Sequence, residues 1–526
     1  MDDDEVAPRR RTRRRAVWED HPEIDTAETK FGAGPVDRTR QLPVPEDDHA
    51  IEDYVKHMAE RINRVLLPKY GSDESEQPPT IYKVPQEIKS GNEDAYLPFA
   101  VKIGPLTPYR YHKGGDNQYE RLEDYKWCCV QRLFGRHHLP QEPEKTRALL
   151  GRCLNSLRSL EPRIRASYPR DQRSISYING KDLLCDVLLD GCFILHRLLK
   201  YASIAKREGA AASAPEVQAS GGMDEEEDND WTQVLGWCWV WGFVTYDLLL
   251  LENQIPFFIV ESLFHHLRTN PDESSDILVS GALRLFRSLR PQPLHSSHIA
   301  CRYVHHLLHL FYQSVDLPAT MPEPADNLRR YGMPPSELSQ WMPCTTELEE
   351  AGIKFRARQG ASSFLDIRFD GGVLEIPMLQ LYDYSEHLLR NLIAFEQTYP
   401  LTPGHFTAYA MFMDCLVASS EDVRLLQHRG VVMNQMNGVR DKEQTWFFSR
   451  LCHGVHMAAD RNYLGGVIAE VNKYQQARWP RWSVALVCNY YSNPWVATSL
   501  AAAVFLLALA FIQTFFAAYS YFKPPH

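Results

Sequence analysis

The chain has 526 residues, of which 44% are hydrophobic and 24% are charged. These proportions are typical of a globular protein and exclude a collagen, a wholly disordered chain and a polytopic transporter. The formal net charge is −10, from 57 Lys and Arg against 67 Asp and Glu. Six of the acids lie together in residues 224–230, so the net charge reflects one segment and does not identify a partner.

The first 48 residues are polar and rich in proline, which predicts a disordered N-terminal arm. Residues 9–15 contain six arginines, and no apolar stretch follows that would mark a cleavable signal peptide. We interpret the arginine block as a solvated tail, although a retention signal and a nuclear-import-like patch have the same composition. Apart from Trp18 it has no interleaved aromatic residues, so we expect no nucleic-acid partner.

Eleven cysteines are scattered from Cys128 to Cys488 without any C-x-x-C spacing. An odd number at irregular spacing favours free thiols in a reduced compartment over a disulfide framework or a zinc module.

Apolar residues at helical spacing predict helices at residues 51–67, 120–134, 145–166 and 178–201. Residues 81–110 contain four prolines, which forbid a long helix, so we expect an extended segment laid over a helical core. Residues 205–230 are rich in Ala, Gly and Ser and then acidic, which predicts a disordered surface insertion.

Residues 231–251 are apolar on all sides, but Asp247 and Glu252 shorten the uncharged run. This favours a buried central helix over a membrane span, and Pro256 then ends the helical ladder. Residues 353–377 alternate in hydropathy around an Asp-Gly-Gly turn, which predicts a small antiparallel β region. Further helices are predicted at residues 379–397, 407–417, 422–428 and from residue 443 onward.

Residues 482–522 contain no charged residue and no histidine. As a helix, residues 496–519 would be about 36 Å long, enough to cross a hydrocarbon core of ~30 Å, and aromatic residues flank them. Residues 481–526 are therefore predicted to form a single-pass, C-terminal anchor with the lipid bilayer as partner. The membrane-facing residues are expected to include Val496, Leu500, Phe505, Leu507, Phe511 and Phe515.

The bulk of the chain is expected on the cytosolic side of the membrane, because Lys473, Arg478 and Arg481 precede the span and only Lys523 follows it. The fold class that these patterns predict is mainly α. It consists of a large helical domain at residues 49–480, a small antiparallel β-hairpin region within it, and one C-terminal transmembrane helix.

Six motifs follow one another in the chain. They are residues 81–85 (IYKVP) with 95–98 and 103–105, 190–195 (DGCFIL), 247–258 (DLLLLENQIPFF), 350–355 (EAGIKF), 374–377 (LEIP) and 390–397 (RNLIAFEQ). In this order they resemble the plant domain of unknown function 247 family, the UPF0481-like membrane-anchored plant proteins. The family's His-rich turn is replaced here by residues 106–109. The resemblance implies no established biochemical activity, and it suggests a recognition role because some grass members are linked to pollen-side self-incompatibility.

The polar residues of these motifs are the candidate site residues. We interpret them as a structural network, because buried polar groups must be paired and a pair such as Asp190 with Arg390 would satisfy both partners. The alternative is an undescribed enzyme that uses Asp190, Glu252 and Glu396 for acid–base chemistry. The set comprises Asp190, Asp247, Glu252, Asn253, Gln254, Arg390, Asn391 and Glu396.

Histidines also cluster, and two of them are spaced four apart on one face of a helix, a spacing that a metal site could use. No H-E-x-x-H motif and no cysteine quartet accompanies them, so neither a metal nor another cofactor is predicted. No nucleotide-binding or esterase motif occurs, and no small-molecule substrate is expected. The sequence favours a recognition or scaffold protein with an unknown protein partner. The histidines are His295, His298, His305, His306 and His309.

Overall fold

The chain divides into two units, Met1–Lys69 and Tyr70–His526. The predicted N-terminal arm, its arginine block, His295, His298 and most of the acidic insertion lie outside the residues that the structure describes. The computed structural model describes residues 56, 79–106, 118–136, 143–169, 175, 178–212, 240–290, 304–315, 317, 341–436, 441–457, 461–476 and 494–522.

The described part of the second unit is mainly helical, as predicted. The helices are α1 Gln86–Lys89, α2 Gln118–Gly135, α3 Pro143–Ala166, α4 Gly180–Ala212, α5 Val240–Asp247, α6 Phe257–Leu267, α7 Asp276–Leu285, α8 Leu307–Val315, α9 Thr345–Glu350, α10 Ser385–Thr398, α11 His405–Leu416, α12 Ser420–His428, α13 Asp441–Leu451, α14 Gly465–Gln476 and α15 Pro494–Phe522.

Helix α4 is the central helix of the first half of the domain, where it packs against α2, α3, α6 and α7. Its closest neighbour is α7, because Gly281 lies directly against the carbonyl of Leu198 and a side chain there would overlap that backbone. The predicted helix at residues 178–201 is confirmed, but it continues to Ala212. Residues 205–212 of the predicted disordered insertion are therefore helical.

A second group of helices packs around α10, which contacts α11 and α13, while α12 contacts α9 and α13. Large apolar side chains such as Phe395, Phe406 and Tyr409 are buried in this group. The predicted helix at residues 379–397 is wrong at its beginning. Residues 379–381 form a strand and α10 begins at Ser385.

The β region contains strands β1 Lys354–Arg358, β2 Arg368–Asp370 and β3 Val373–Pro377, with β3 in the centre. Strands β2 and β3 form the predicted antiparallel hairpin, closed by Gly371 and Gly372 at φ 54° and 85°. The prediction is wrong for β1, which pairs with β3 in parallel. Hydropathy alternation reports which face of a strand is buried but not the direction of its neighbour.

A second, two-stranded sheet was not predicted. It pairs β4 Leu379–Leu381 in parallel with β5 Val432–Asn434.

Residues 79–106, which we call the strap, form the predicted extended segment over the helical core. The strap includes α1 and the short 3₁₀ turn Glu93–Tyr96, and its side chains Ile81, Tyr96 and Ile103 are buried in the same core as those of the helices. Because the strap is not a strand of either described sheet, its backbone must find other hydrogen-bond partners.

Helix α15 spans the predicted membrane segment at residues 496–519. Its side chains Phe505, Leu507, Phe511 and Phe515 are 60–75% exposed, whereas those of Val496 and Leu500 lie outside the described part. Over the residues that the structure describes, however, no helix combines the length and the apolar character that crossing a membrane requires. The helix is confirmed, and its prediction as a transmembrane helix is not supported by the structure.

Candidate functional site

Asp247 is the acceptor for three consecutive backbone N–H groups of the strap. Phe99 donates to Oδ1 at 2.8 Å, while Ala100 and Val101 donate to Oδ2 at 2.5 and 2.7 Å. The carboxylate is buried at the carboxyl end of α5, where the chain turns into the motif at residues 248–256. A single side chain therefore pairs three N–H groups of a segment that belongs to neither described sheet.

Glu252 holds the beginning of the strap in the same way. Its Oε1 accepts the Val84 N–H at 2.9 Å, and the Lys89 ammonium lies 3.0 and 3.1 Å from its two oxygens. The carboxylate side chain is only 3% exposed, whereas that of Lys89 is 19% exposed. Lys89 therefore lies between the buried Glu252 carboxylate and the protein surface.

The two amide side chains that follow Glu252 have different partners: Asn253 binds mainly the strap, and Gln254 binds the motif itself. Asn253 accepts the Ile103 N–H at 2.7 Å and donates to the carbonyls of Val101 and Asp247. Gln254 donates to the carbonyls of Leu248 and Leu250, both at 2.8 Å, and so fixes the turn between α5 and α6. Both side chains are fully buried and each uses its amide nitrogen twice.

Asp190 does not pair with Arg390, which corrects the sequence-based hypothesis. Its Oδ2 accepts the Gly104 N–H at 2.7 Å, and its Oδ1 lies 2.8 Å from the Lys126 ammonium. The same ammonium donates to the carbonyl of Lys102, at 2.8 Å. Burial lowers the pKa of Lys126, but the charges of Asp190 and Glu123 outweigh it and the net shift is upward. Lys126 therefore stays charged and ties Asp190 to the strap.

Arg390 and Asn391 both lie on α10, and neither binds Asp190. The Arg390 guanidinium donates to Glu386 at 3.0 Å and to the carbonyl of Arg450 at 2.8 Å. Asn391 accepts the Leu251 N–H at 2.9 Å and donates to the carbonyl of Ala95 in the strap, also at 2.9 Å. Asn391 thus joins the two halves of the domain through the strap.

Glu396 lies apart from the strap contacts and binds the beginning of α11. It accepts the backbone N–H groups of Phe406 and Thr407 at 2.9 and 2.7 Å, the Thr407 hydroxyl at 2.6 Å and the Tyr312 hydroxyl at 2.9 Å. Burial raises the pKa of Glu396 to about 7, against the opposite effect of these hydrogen bonds. A carboxylate at a helix N-terminus satisfies N–H groups that have no partner within the helix.

His305, His306 and His309, the described members of the histidine cluster, form an aromatic group in which His306 and His309 are buried. The His305 and His309 rings stack with centroids 4.4 Å apart, and the His309 Nδ1 accepts the His305 backbone N–H. The His306 Nδ1 accepts the His309 N–H, so its Nε2 carries the proton and donates to the Thr80 carbonyl of the strap, at 3.1 Å. Within the described residues, no His, Cys, Asp and Glu side chains are grouped to hold a metal ion.

The carboxylates of the enzyme alternative are separate anchors. Asp190, Glu252 and Glu396 are each 5% exposed or less, and each is held by its own set of donors. None of them lines either of the two cavities described in the structure, whereas Asp247 lines the larger one. Carboxylates whose oxygens are occupied by backbone donors act as hydrogen-bond acceptors in the fold.

A family model described as a plant protein of unknown function, the domain of unknown function 247, matches residues 81–509. The chain belongs to this plant family. A UPF0481 protein of Arabidopsis thaliana is 27% identical over 455 residues, covering 84% of this chain and 86% of the relative. A putative UPF0481 protein of the same plant is 22% identical over 531 residues, covering 84% and 91%. No solved structure matches the chain.

In this member of the domain of unknown function 247 family, the sequence predicted the motif residues but not the residues that they bind. Lys126 is the clearest case, because it lies on the buried face of α2 beside Leu122, Tyr125 and Cys129. A lysine at a core position of an amphipathic helix was the available signal, since such a residue needs a buried acidic partner. The His306 contact with Thr80 had no comparable signal in the sequence.

Proposed function

We propose that the protein is a membrane-associated recognition or scaffold module that acts through a protein partner. The observation that supports this proposal is that the polar side chains of the motifs are hydrogen-bonded to the strap. Asp190, Asp247, Glu252, Asn253 and Asn391 all bind backbone groups of the strap, which favours a structural role for the motifs, as a recognition or scaffold module needs, over a role in acid–base catalysis. We also propose that this recognition is related to pollen self-incompatibility, because the chain resembles a family of which some grass members are linked to that process.

The lipid bilayer is the partner that we propose for α15. Large apolar side chains project from this helix into solvent, and in water such a surface costs free energy in proportion to its area. The surplus of Lys and Arg before the helix favours a cytosolic position for the rest of the chain. The exposed side chains include Val504, Phe505, Leu506, Leu507, Phe511, Phe515 and Phe516.

Flotation with liposomes tests the membrane part of the proposal. The full chain is expected to float with the lipid, and the double variant Leu507→Arg, Phe511→Arg is expected to stay in the dense fraction, because buried charge opposes insertion. Leu401→Arg is the matched control, since Leu401 is 70% exposed but lies outside α15. Flotation of the double variant, or no flotation of the full chain, would contradict the proposal.

Proximity labelling tests the recognition part. The full chain and residues 481–526 alone, each fused to the same labelling enzyme, are compared in plant cells. We expect proteins that only the full chain labels, because the helical domain then selects them. Equal sets from both fusions would contradict a recognition role. A chain that ends at residue 480 adds a second comparison, and unchanged labelling by it would show that α15 does not influence the choice of partner.

A further inference from the structure

A cleft of about 580 Å³ opens between the strap, α5 and the junction of β4 with α10. Its volume lies within the range of ~300–1,000 Å³ that is typical of small-molecule sites, whose walls are mostly apolar. We call it the aromatic cleft, because five aromatic residues and five leucines make up ten of its 15 described lining residues. The aromatic residues are Phe99, Phe243, Tyr246, Tyr382 and Tyr384.

The five rings pack against one another in a continuous wall. Phe99 stacks on Phe243 at 4.1 Å between centroids, and Phe243 meets Tyr246 edge to face. Tyr246 stacks on Tyr384 at 4.6 Å, and Tyr384 stacks on Tyr382 at 5.2 Å. Rings that are held by one another in this way lose little freedom when a ligand packs against them, which lowers the cost of binding.

The hydroxyls of the three tyrosines in this wall differ in their partners. The Tyr382 hydroxyl donates to the Gln380 side chain at 2.6 Å, and the Tyr384 hydroxyl donates to the Ser288 carbonyl at 3.1 Å. Tyr246 is half-buried, yet no described residue forms a hydrogen bond with its hydroxyl. Because a tyrosine packed into a wall of rings usually has such a partner, the Tyr246 hydroxyl is the polar group of the wall that a ligand can use.

The carboxylates at the cleft are already engaged by the protein. Asp247 accepts the N–H groups of the strap, and Asp94 and Asp383 each interact with another group of the chain. A charged ligand would therefore lose its hydration without gaining an unpaired carboxylate in return. Ring faces, leucines and one hydroxyl favour a ligand without charge.

We propose that the aromatic cleft binds a neutral aromatic small molecule, with a flat body and one hydroxyl or carbonyl oxygen. The body packs against the wall of rings and the leucines, and the oxygen forms a hydrogen bond with the Tyr246 hydroxyl. The proposal does not depend on the recognition role or on the membrane.

The test uses three probes of similar shape: 2-naphthol, decahydro-2-naphthol and 2-naphthylmethylamine. Their binding to the full chain at neutral pH is measured by isothermal titration calorimetry. We expect 2-naphthol to bind about fivefold more tightly than its saturated analogue, which lacks ring-to-ring contacts, and the amine to bind no more tightly than 2-naphthol. Equal or tighter binding of the saturated analogue, tighter binding of the amine, or no binding of 2-naphthol at millimolar concentration overturns the proposal.

Two variants then place the binding in the cleft. Tyr246→Phe keeps the ring and removes the hydroxyl, so it is expected to weaken the binding of 2-naphthol about fivefold. Tyr201→Phe is the matched control, because Tyr201 is also half-buried but lies on α4 and is not among the lining residues, and it should leave the binding unchanged. Equal effects of the two variants overturn the proposal.

Discussion

At the scale of single residues, the buried polar side chains complete the hydrogen bonding of an extended backbone. A chain segment inside a core must pair every N–H and C=O, and the strap is not a strand of either described sheet. Asp247 accepts three N–H groups, and Asn253 both accepts from and donates to the strap. A carboxylate suits a run of donors because it has two acceptor atoms and no proton to conflict with them.

Lys126 is expected to couple energetically to Asp190. Lys126→Met should lower the free energy of unfolding by about 3–5 kcal/mol, because it leaves a buried carboxylate with the Gly104 N–H but without its cation. A double-mutant cycle by urea unfolding with Asp190→Asn should give a coupling energy of about 1–3 kcal/mol.

The control for this cycle is Arg390→Met with Asp190→Asn. Their effects should add to within about 0.5 kcal/mol, since Arg390 binds Glu386 and Arg450 instead. Strong coupling of Asp190 to Arg390, and none to Lys126, would contradict the structure.

Buried histidines and Glu396 are expected to make stability depend on pH with opposite signs. Burial lowers the pKa of His309 from 6.5 to about 3 and also lowers that of His306. As the pH falls below about 6.5, the unfolded chain takes up protons first, so the free energy of unfolding falls. Glu396, with its pKa raised from 4.5 to about 7, stabilises fully below about pH 4.5 and loses this contribution as the pH rises through 7.

Urea unfolding between about pH 5 and pH 8 measures both effects. His309→Phe should flatten the acid side of the profile, and Glu396→Gln should remove the decline that Glu396 causes up to about pH 7. The comparison uses slopes, because each variant also carries a loss that does not vary with pH. Unchanged slopes in both variants would mean that these groups are not buried as described.

At the scale of elements, the strap contains a position, Gly104, at which any side chain would be strained. Gly104 has φ 70°, and a Cβ there would overlap the carbonyl of Gln254. Gly104→Ala is expected to lower the free energy of unfolding by about 2–5 kcal/mol, from the left-handed backbone and from displacement of the strap. The midpoint of urea unfolding measures it.

Gly360→Ala is the matched control for this variant. Gly360 has nearly the same φ, 69°, but nothing lies near its missing Cβ. Only the backbone cost of about 1–2 kcal/mol should remain. Equal losses at the two glycines would show that the contact between the strap and Gln254 does not matter.

Elements with strong local patterns were predictable, and those defined by distant contacts were not. The periodicity of residues 178–201 located α4, and the Asp-Gly-Gly turn located the β2–β3 hairpin. Strands β4 and β5 have three residues each and pair across the sequence, so no local pattern marks them. The parallel pairing of β1 with β3 has no local pattern either, because it depends on the path of the chain between the two strands.

At the scale of the whole molecule, the domain is expected to fold without α15. The described side chains at residues 502–516 are all classed as exposed, so they bury little apolar surface that would stabilise the rest. A chain ending at residue 480 should match the full chain in free energy of unfolding to within about 0.5 kcal/mol, measured with guanidinium in the same mild detergent.

A chain ending at residue 460 provides the contrast. It also loses α14, whose Ile468 and Val471 are buried in the core, and it should be clearly less stable. A large loss of stability already at residue 480 would show that α15 packs against the domain.

The sequence by itself determined the family, the mainly helical class, the extended strap and the set of polar motif residues, because turn residues, prolines and hydrophobic periodicity act over a few neighbouring positions. It did not determine what those polar residues bind. Asp190 meets Lys126 and Gly104, and Glu252 meets Val84, over separations of 64 to 168 residues. Only the tertiary structure decides such pairs, because a buried charge takes the partner that the packing of the whole core brings within hydrogen-bond distance.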